Sequence, residues 1–313
     1  MNVFVLGSYV QAHSLFMPQL PSVGTSVTAE RLWIEHGGKG LNLAVAMHRL
    51  GLPTQTLIAV GNDPAGQALC DYLHHENMNS DGVITLPVLS GFGVGLVSAT
   101  GENVIAVYSG ANSHLTTQHV QTAQPAITAA SLVCAQLEIP DAVITEAFVL
   151  AHQAKACTLL MPSPWRVISP ELWQLSDIVV MNEPEAMQFF NCTDALEHTI
   201  ADWFARLGML NKHPYWQGRW LVITLAERGC VAWEVQNIHH CHAYTITAQD
   251  PTGAGDAFTA GLAWAWMQGY TLTQALPIAN ACGAMVAAQQ GVLPILPTLP
   301  QLQAFLSINQ LAD

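Results

Sequence analysis

The sequence predicts an α/β protein built on a mostly parallel β-sheet with helices on both faces. Three observations predict it. Short runs rich in Val, Ile and Leu recur along the chain, segments with helical spacing lie between several of them, and two β-like regions lack an adjoining helix. Strands that alternate with helices imply βαβ units. Strands buried on both faces read as continuous apolar runs.

In chain order, "VFVLG" (3–7) is the first such run. "SVTAERLWIEH" (26–36) is β-like but follows a proline-rich loop, and "LNLAVAMHRLG" (41–51) has helical spacing. "TLIAVG" (56–61) reads as a strand and "AGQALCDYLHHEN" (65–77) as a helix. "GVGLVSATGENVIAVYSGAN" (93–112) reads as a hairpin with its turn near Gly101-Glu102. "SLVCAQLE" (131–138), "DIVVMN" (177–182) and "WLVITL" (220–225) are further strands. From Ala257, Phe258, Leu262 and Trp266 recur every fourth position, the spacing of one helix face. The two regions without helices, 26–36 and 93–112, are expected to pair with each other as a small sheet. That sheet is either a flap over a site or an edge extension for dimer contacts. With no repeat and no long linker, residues 1–313 read as one domain.

Composition narrows the function classes. The chain has 313 residues, 51% of them apolar, which is globular. A net charge of −13 with only 9 Lys+Arg argues against nucleic acid or an anionic membrane as partner. The 7 cysteines are scattered and never spaced C-x-x-C, as in a reduced, cytoplasmic chain. "MNVFVLGS" reads as a strand, not as a signal peptide. Ala257 to Ala312 carries no charge, but Gln, Thr, Asn, Gly and Pro interrupt it too often for a spanning helix.

Two glycine clusters point to chemistry. In "DPTGAGDAF" (250–258) a tight turn ends where a helix begins, and Asp256 stands in its first turn. Helix N-termini present free N–H groups and suit anions. Asp256 is then either a cap or a base beside a phosphate. In "HGGKGLNLAVA" (36–46), Gly37-Gly38 allow close backbone approach, and Lys39 and Asn42 could bond hydroxyls; a plain glycine turn is the bland alternative. No G-x-x-x-x-G-K-[ST] is present, the first strand lacks the dinucleotide fingerprint, and "GFGVG" (91–95) opens a strand. "HHCH" (239–242) puts His240 and His242 on one strand face, short of the three or four ligands zinc needs.

Together, "GGKGLNLAVA" and "DPTGAGDAFTAGLAWA" resemble the paired signatures of the ribokinase-like (PfkB) carbohydrate kinases. "GNDPAG" (61–66), "GENVIAVYSGAN" (101–112), "QLEIP" (136–140), "MNEPEA" (181–186) and "VITLAERG" (222–229) follow in the family's order, and the ribokinase branch is the most similar. The resemblance implies a three-layer α/β/α fold with a small β-sheet lid, here about 12–36 and 92–110. It implies ATP-dependent phosphorylation of a primary hydroxyl on a pentose, hexose or nucleoside-like substrate. By the same resemblance Asp256 is the catalytic base, and Gly253, Ala254 and Gly255 form the anion hole. Gly38, Lys39, Asn42 and Glu138 match sugar-binding positions. Asn182, Glu185, Thr224, Gly229 and Asn280 match the nucleotide site, with Glu185 organising Mg²⁺ through water. Asn182 and Glu185 would equally suit a capping box. Asp250 and Thr252, with carbonyls near Val286, Gln289 and Gly291, match a monovalent-cation site for K⁺. A homodimer formed through the lid is the family's habit.

The chain departs from the ribokinase pattern in places. Val10 and Ala12 stand where an Asn and an Asp bind ring hydroxyls, in what reads as a loop after the first strand. Met161 replaces an Asn, Ala226 a glycine of the nucleotide loop, and Ile295 a serine of the cation site. A substrate less polar than ribose is expected. The alternatives are a nucleoside or ketohexose-phosphate kinase, or a non-catalytic sugar-binding regulator.

Overall fold

The computed structural model describes residues 2–192, 198–235 and 237–310. β1 (Val3–Gly7) is buried throughout. The chain then builds β2 (Val10–Met17) and β3 (Arg31–Gly37), followed by α1 (Lys39–Arg49), β4 (Thr54–Gly61), α2 (Pro64–His75) and β5 (Val83–Leu86). β6 (Gly91–Ser98) and β7 (Asn103–Tyr108) form the hairpin. α3 (Thr117–Thr122), α4 (Gln124–Ala129), β8 (Leu132–Gln136), α5 (Asp141–Gln153), β9 (Cys157–Met161) and α6 (Pro170–Gln174) come next. β10 (Ile178–Asn182), α7 (Glu183–Phe189), α8 (Ile200–Gly208), β11 (Trp220–Thr224), β12 (Cys230–Glu234) and β13 (Asn237–Cys241) follow. α9 (Ala254–Met267), α10 (Leu272–Ala287) and α11 (Leu299–Gln310) lie beyond them.

The main sheet has nine strands in the order β13-β12-β11-β10-β9-β8-β1-β4-β5. From β11 to β5 every pairing is parallel; β12 and β13 add antiparallel strands at one edge. Alternation along each strand feeds two cores. In β1, Val3 and Val5 pack with α1, α2, α9 and α10, whereas Phe4 and Leu6 pack with residues of α5, α7 and α8. Both faces are therefore covered, which is why these strands are apolar without interruption.

A second sheet has the order β3-β2-β6-β7. This corrects two sequence expectations. The segment read as a loop after the first strand is β2, and it lies between β3 and the hairpin, which do not pair with each other. β2 mixes polar and apolar residues on both faces, so period-2 patterning did not reveal it. Its backbone is satisfied by neighbours on both sides, antiparallel β3 and parallel β6. The first half of the 26–36 stretch is no strand, since β3 begins at Arg31.

Parallel strands of one sheet end at one edge, and in such sheets ligands bind outside the carboxyl ends. Ser8, Glu138, Asn182 and Thr224 all stand at the ends of β1, β8, β10 and β11. Glu138 there lies within electrostatic reach of Lys39, Glu185 and Asp256.

Candidate active site

The turn before α9 is held open by glycine. Gly253, the residue before the helix, has φ +79°, and a Cβ there would meet Val292 at 2.5 Å. Ala254 donates its N–H to the Pro251 carbonyl, 3.1 Å away, so of the three residues expected to bind an anion it is already engaged. Gly255 and Asp256 follow in the first helical turn, where N–H groups find no carbonyl within the helix. A Cβ on Gly255 would meet nothing within 4 Å, so there is space above this turn.

Asp256 does not cap α9. Its carboxylate turns away and accepts a hydrogen bond from Asn42 Nδ2 at 2.7 Å, joining α9 to α1. Asn42 Oδ1 is buried and has no partner among the described residues. The Lys39 backbone N–H donates to Glu138 Oε2 at 2.9 Å, and Ser8 Oγ donates to the same oxygen. Gly38, with φ +97°, starts α1 so close to β1 that a Cβ would lie 2.8 Å from the Ser8 carbonyl. The four residues expected to hold the acceptor, Gly38, Lys39, Asn42 and Glu138, are thus brought together beside Asp256.

The electrostatics of this cluster are uneven. Burial pushes the Asp256 carboxyl above its ordinary value, with Glu138 and Glu185 adding to the rise and Lys39 and Asn42 opposing it. Burial works against the Lys39 ammonium, but Asp256, Glu138 and Glu185 outweigh it, so its value ends raised. Asp256 is only 4% exposed. A cavity of about 530 Å³ opens elsewhere, lined by Trp165, Trp173, Phe189 and Tyr215 among others, and none of the charged cluster borders it.

Asn182 and Glu185 form a reciprocal capping box at the start of α7: Asn182 N–H donates to Glu185 Oε2 at 2.9 Å, and Glu185 N–H to Asn182 Oδ1 at 2.8 Å. The capping alternative is therefore realised, while Glu185 still faces Lys39 and Asp256 closely enough to act on both. Asn182 and Thr224 are register partners across β10 and β11. Gly229 and Asn280 meet at the end of β13: Asn280 Nδ2 donates to the His242 carbonyl at 2.9 Å, and a Cβ on Gly229 would lie 2.0 Å from the Cys241 carbonyl. Ala226 has φ +50°, which accounts for the glycine expected there.

The loop 249–252 packs on the end of α10, with Gln249 N–H donating to the Ala287 carbonyl at 2.8 Å. Asp250 Oδ1 accepts from Thr252 N–H at 2.9 Å. Gly291, φ +91°, lies under β3, where a Cβ would stand 3.1 Å from Glu35 Oε1. Sequence reasoning missed Ser8, Glu35 and the Asn112 amide, which bonds the Tyr9 N–H at 2.9 Å and the Tyr9 carbonyl at 2.7 Å. Only the "GAN" of the hairpin hinted at the last. In the "HHCH" stretch, His240 and His242 rings contact each other and His240 bonds the Arg228 carbonyl. Among the described residues no three His, Cys, Asp or Glu converge as metal ligands, and no helix is long and apolar enough to cross a membrane.

Comparison with known proteins gives consistent matches. The model of the pfkB family carbohydrate kinases matches residues 2–299. A ribokinase of Haemophilus influenzae is 28% identical over 306 residues, covering 96% of this chain and 97% of the relative. A deoxyribokinase of Salmonella typhi is 26% identical over 313 residues, covering 99% and 100%. The solved structure of Arabidopsis thaliana ribokinase complexed with ribose and ATP has a TM-score of 0.89 at 22% identity, covering 97% of this chain and 98% of that one. That last likeness is one of fold.

Proposed function

Because the chain belongs to the pfkB family of carbohydrate kinases, we propose that it moves the γ-phosphoryl group of ATP to a primary hydroxyl of a sugar or sugar-like acceptor, with Asp256 as general base. The observation that carries this reading is the position of the Asp256 carboxylate, bonded to Asn42 beside a glycine turn with free first-turn N–H groups. An alcohol placed against Asp256 loses its proton to the carboxylate as its oxygen attacks phosphorus. The Gly253 and Gly255 N–H groups, aided by that of Asp256 itself, hold the charge that spreads onto the transferring group. Lys39 adds a fixed positive charge to the same place. Gly38, Asn42 and Glu138 orient the acceptor.

Asn182, Thr224, Gly229 and Asn280 would border the nucleotide. Mg²⁺, when bound, neutralises phosphate charge. Glu185 fits it through water, since the capping box engages only Oε2 and leaves the other carboxylate oxygen. Asp250 and Thr252 with the carbonyls of Val286, Gln289 and Gly291 suit a K⁺ ion, whose charge would steady the anion-hole turn next to it. The second sheet acts as a lid. Its closure buries Asp256 and keeps water from competing as acceptor. The lid also exposes apolar side chains such as Val104 at 56% and Ile105 at 64%. A second copy of the chain is the partner we assign to it.

The test is ADP release coupled to a panel of sugars and nucleosides, run beside Asp256→Asn. A positioned base contributes about 10²–10⁴-fold, so the variant should lose about that much kcat while binding ATP. Turnover of Asp256→Asn near the parent rate would remove Asp256 from the chemistry.

A further inference from the structure

β3 carries a carboxylate with one oxygen left unpaired. Glu35 Oε1 is buried and has no hydrogen-bond partner among the described residues. Burial pushes the Glu35 carboxyl above its ordinary value, and the Asp250 charge adds to the rise. Glu35 as a whole is half-buried, but leaving a buried carboxylate oxygen unpaired is costly, and a hydroxyl donor would relieve that cost.

Its place in the second sheet says what arrives. Ala12 of β2 and Glu35 of β3 are direct cross-strand partners. Such partners project from the same face, with Cβ atoms about 5 Å apart. On that face β6 contributes Gly93 opposite Ala12 and Gly95 opposite Ser14. No heavy atom stands closer than 3.5 Å to a Cβ on Gly93, or than 3.8 Å to one on Gly95. The face therefore carries only small residues at Ala12, Gly93 and Gly95, with Glu35 next to Ala12 across the strand pair. The same strand leads through Gly37 into Gly38, Lys39 and Asn42, the residues beside Asp256. The opposite face of β3 points elsewhere: His36 Nδ1 and the Tyr9 hydroxyl bond each other at 2.9 Å, and the His36 ring lies tilted against Tyr72.

Resting on the kinase reading, we propose that Glu35 determines acceptor specificity: its carboxylate takes a hydrogen bond from a substrate hydroxyl at the end remote from the phosphorylated carbon. It supplies from β3 the acid that Ala12 leaves absent from β2. The acceptor class is a polyhydroxy compound that lies over the small residues Ala12, Gly93 and Gly95 and presents a hydroxyl to the lid. Bonds to charged groups are among the stronger ones, so losing this one should be visible in binding.

The experiment measures KM and kcat for D-ribose, 2-deoxy-D-ribose and inosine, together with calorimetric binding of each without nucleotide. Parent, Glu35→Gln, Glu35→Ala and the double variant Ala12→Asp/Glu35→Ala are compared. For the acceptor the parent binds best, Glu35→Gln should weaken binding about tenfold and Glu35→Ala up to about a hundredfold. kcat, the KM for ATP and the potassium concentration for half-activation should stay within about twofold. The double variant, with the acid moved one strand over, should gain D-ribose binding relative to Glu35→Ala. Unchanged acceptor binding in both single variants overturns the proposal. So does a changed potassium requirement with unchanged acceptor binding, which would place Glu35 with Asp250 around a cation. If acceptors bind in a Glu35-dependent way but no ADP is released, the inference stands and the kinase reading falls.

Discussion

At the scale of single residues, Asp256 is held between opposing influences. The base we propose must be ionised to act, yet burial pushes this carboxyl up and Glu138 and Glu185 push in the same direction; Lys39 and Asn42 pull it down. The acidic limb of kcat/KM, which reports the free enzyme, should therefore lie above the ordinary Asp value of about 3.9. Lys39→Met removes the opposing charge and should move that limb to higher pH. A limb that stays in place would mean Lys39 does not keep the base ionised. The sign for stability follows from the same shift. A carboxyl whose folded value is raised favours the fold below its unfolded value and loses that contribution as pH rises through the folded one. At neutral pH the ionised Asp256 thus weakens the fold, and Asp256→Asn should unfold at an equal or higher urea concentration than the parent. Loss of activity with gain of stability is the pattern of a site strained for function.

At the scale of elements, the site depends on how firmly β2 is fixed after β1. Asn112 bonds both backbone groups of Tyr9 and is almost fully buried. Asn112→Ala would leave a buried N–H and a buried carbonyl unpaired, at about 1–3 kcal/mol each. We expect about 2–4 kcal/mol lost in a urea titration; a change below about 0.5 kcal/mol would show that the clamp holds nothing. The strands that were legible in the sequence are those buried on both faces, such as β1, β10 and β11, because two apolar faces leave an unbroken run. The glycine turns before α1 and α9 were legible too, since glycine marks backbone that other residues resist. β2 was not, because its pairing partners rather than its side chains make it a strand. Nor were the contacts that assemble the site. Asn42 and Asp256 are 214 residues apart, and Ser8 and Glu138 are 130 apart. No periodicity within a segment encodes which segment it meets. Glu35 was passed over for the same reason: in the sequence it is one acid in a β-like stretch, and the role we propose for it rests on the register against Ala12.

At the scale of the whole molecule, charge and apolar surface act against each other. Each chain carries a net charge of −13, so two copies repel. The second sheet nevertheless exposes Leu32, Ile34, Val104, Ile105, Val107 and Tyr108, and β7 is an edge strand without a charged residue to blunt it. An acidic chain that pairs through such a surface must do so by burying apolar area, with Coulomb repulsion opposing. Salt screens repulsion and leaves burial intact. Association should therefore tighten as ionic strength rises, opposite to a pairing held by ion pairs. By light scattering the parent should have twice the mass of one 33.7 kDa chain. Val104 and Ile105 lie on opposite faces of β7, so Val104→Glu and Ile105→Glu test the two faces separately. One of them should yield monomers, and the acceptor KM should change with it if the lid of one copy steadies the other. A parent that remains monomeric at high salt and high concentration would leave the apolar lid to the substrate alone.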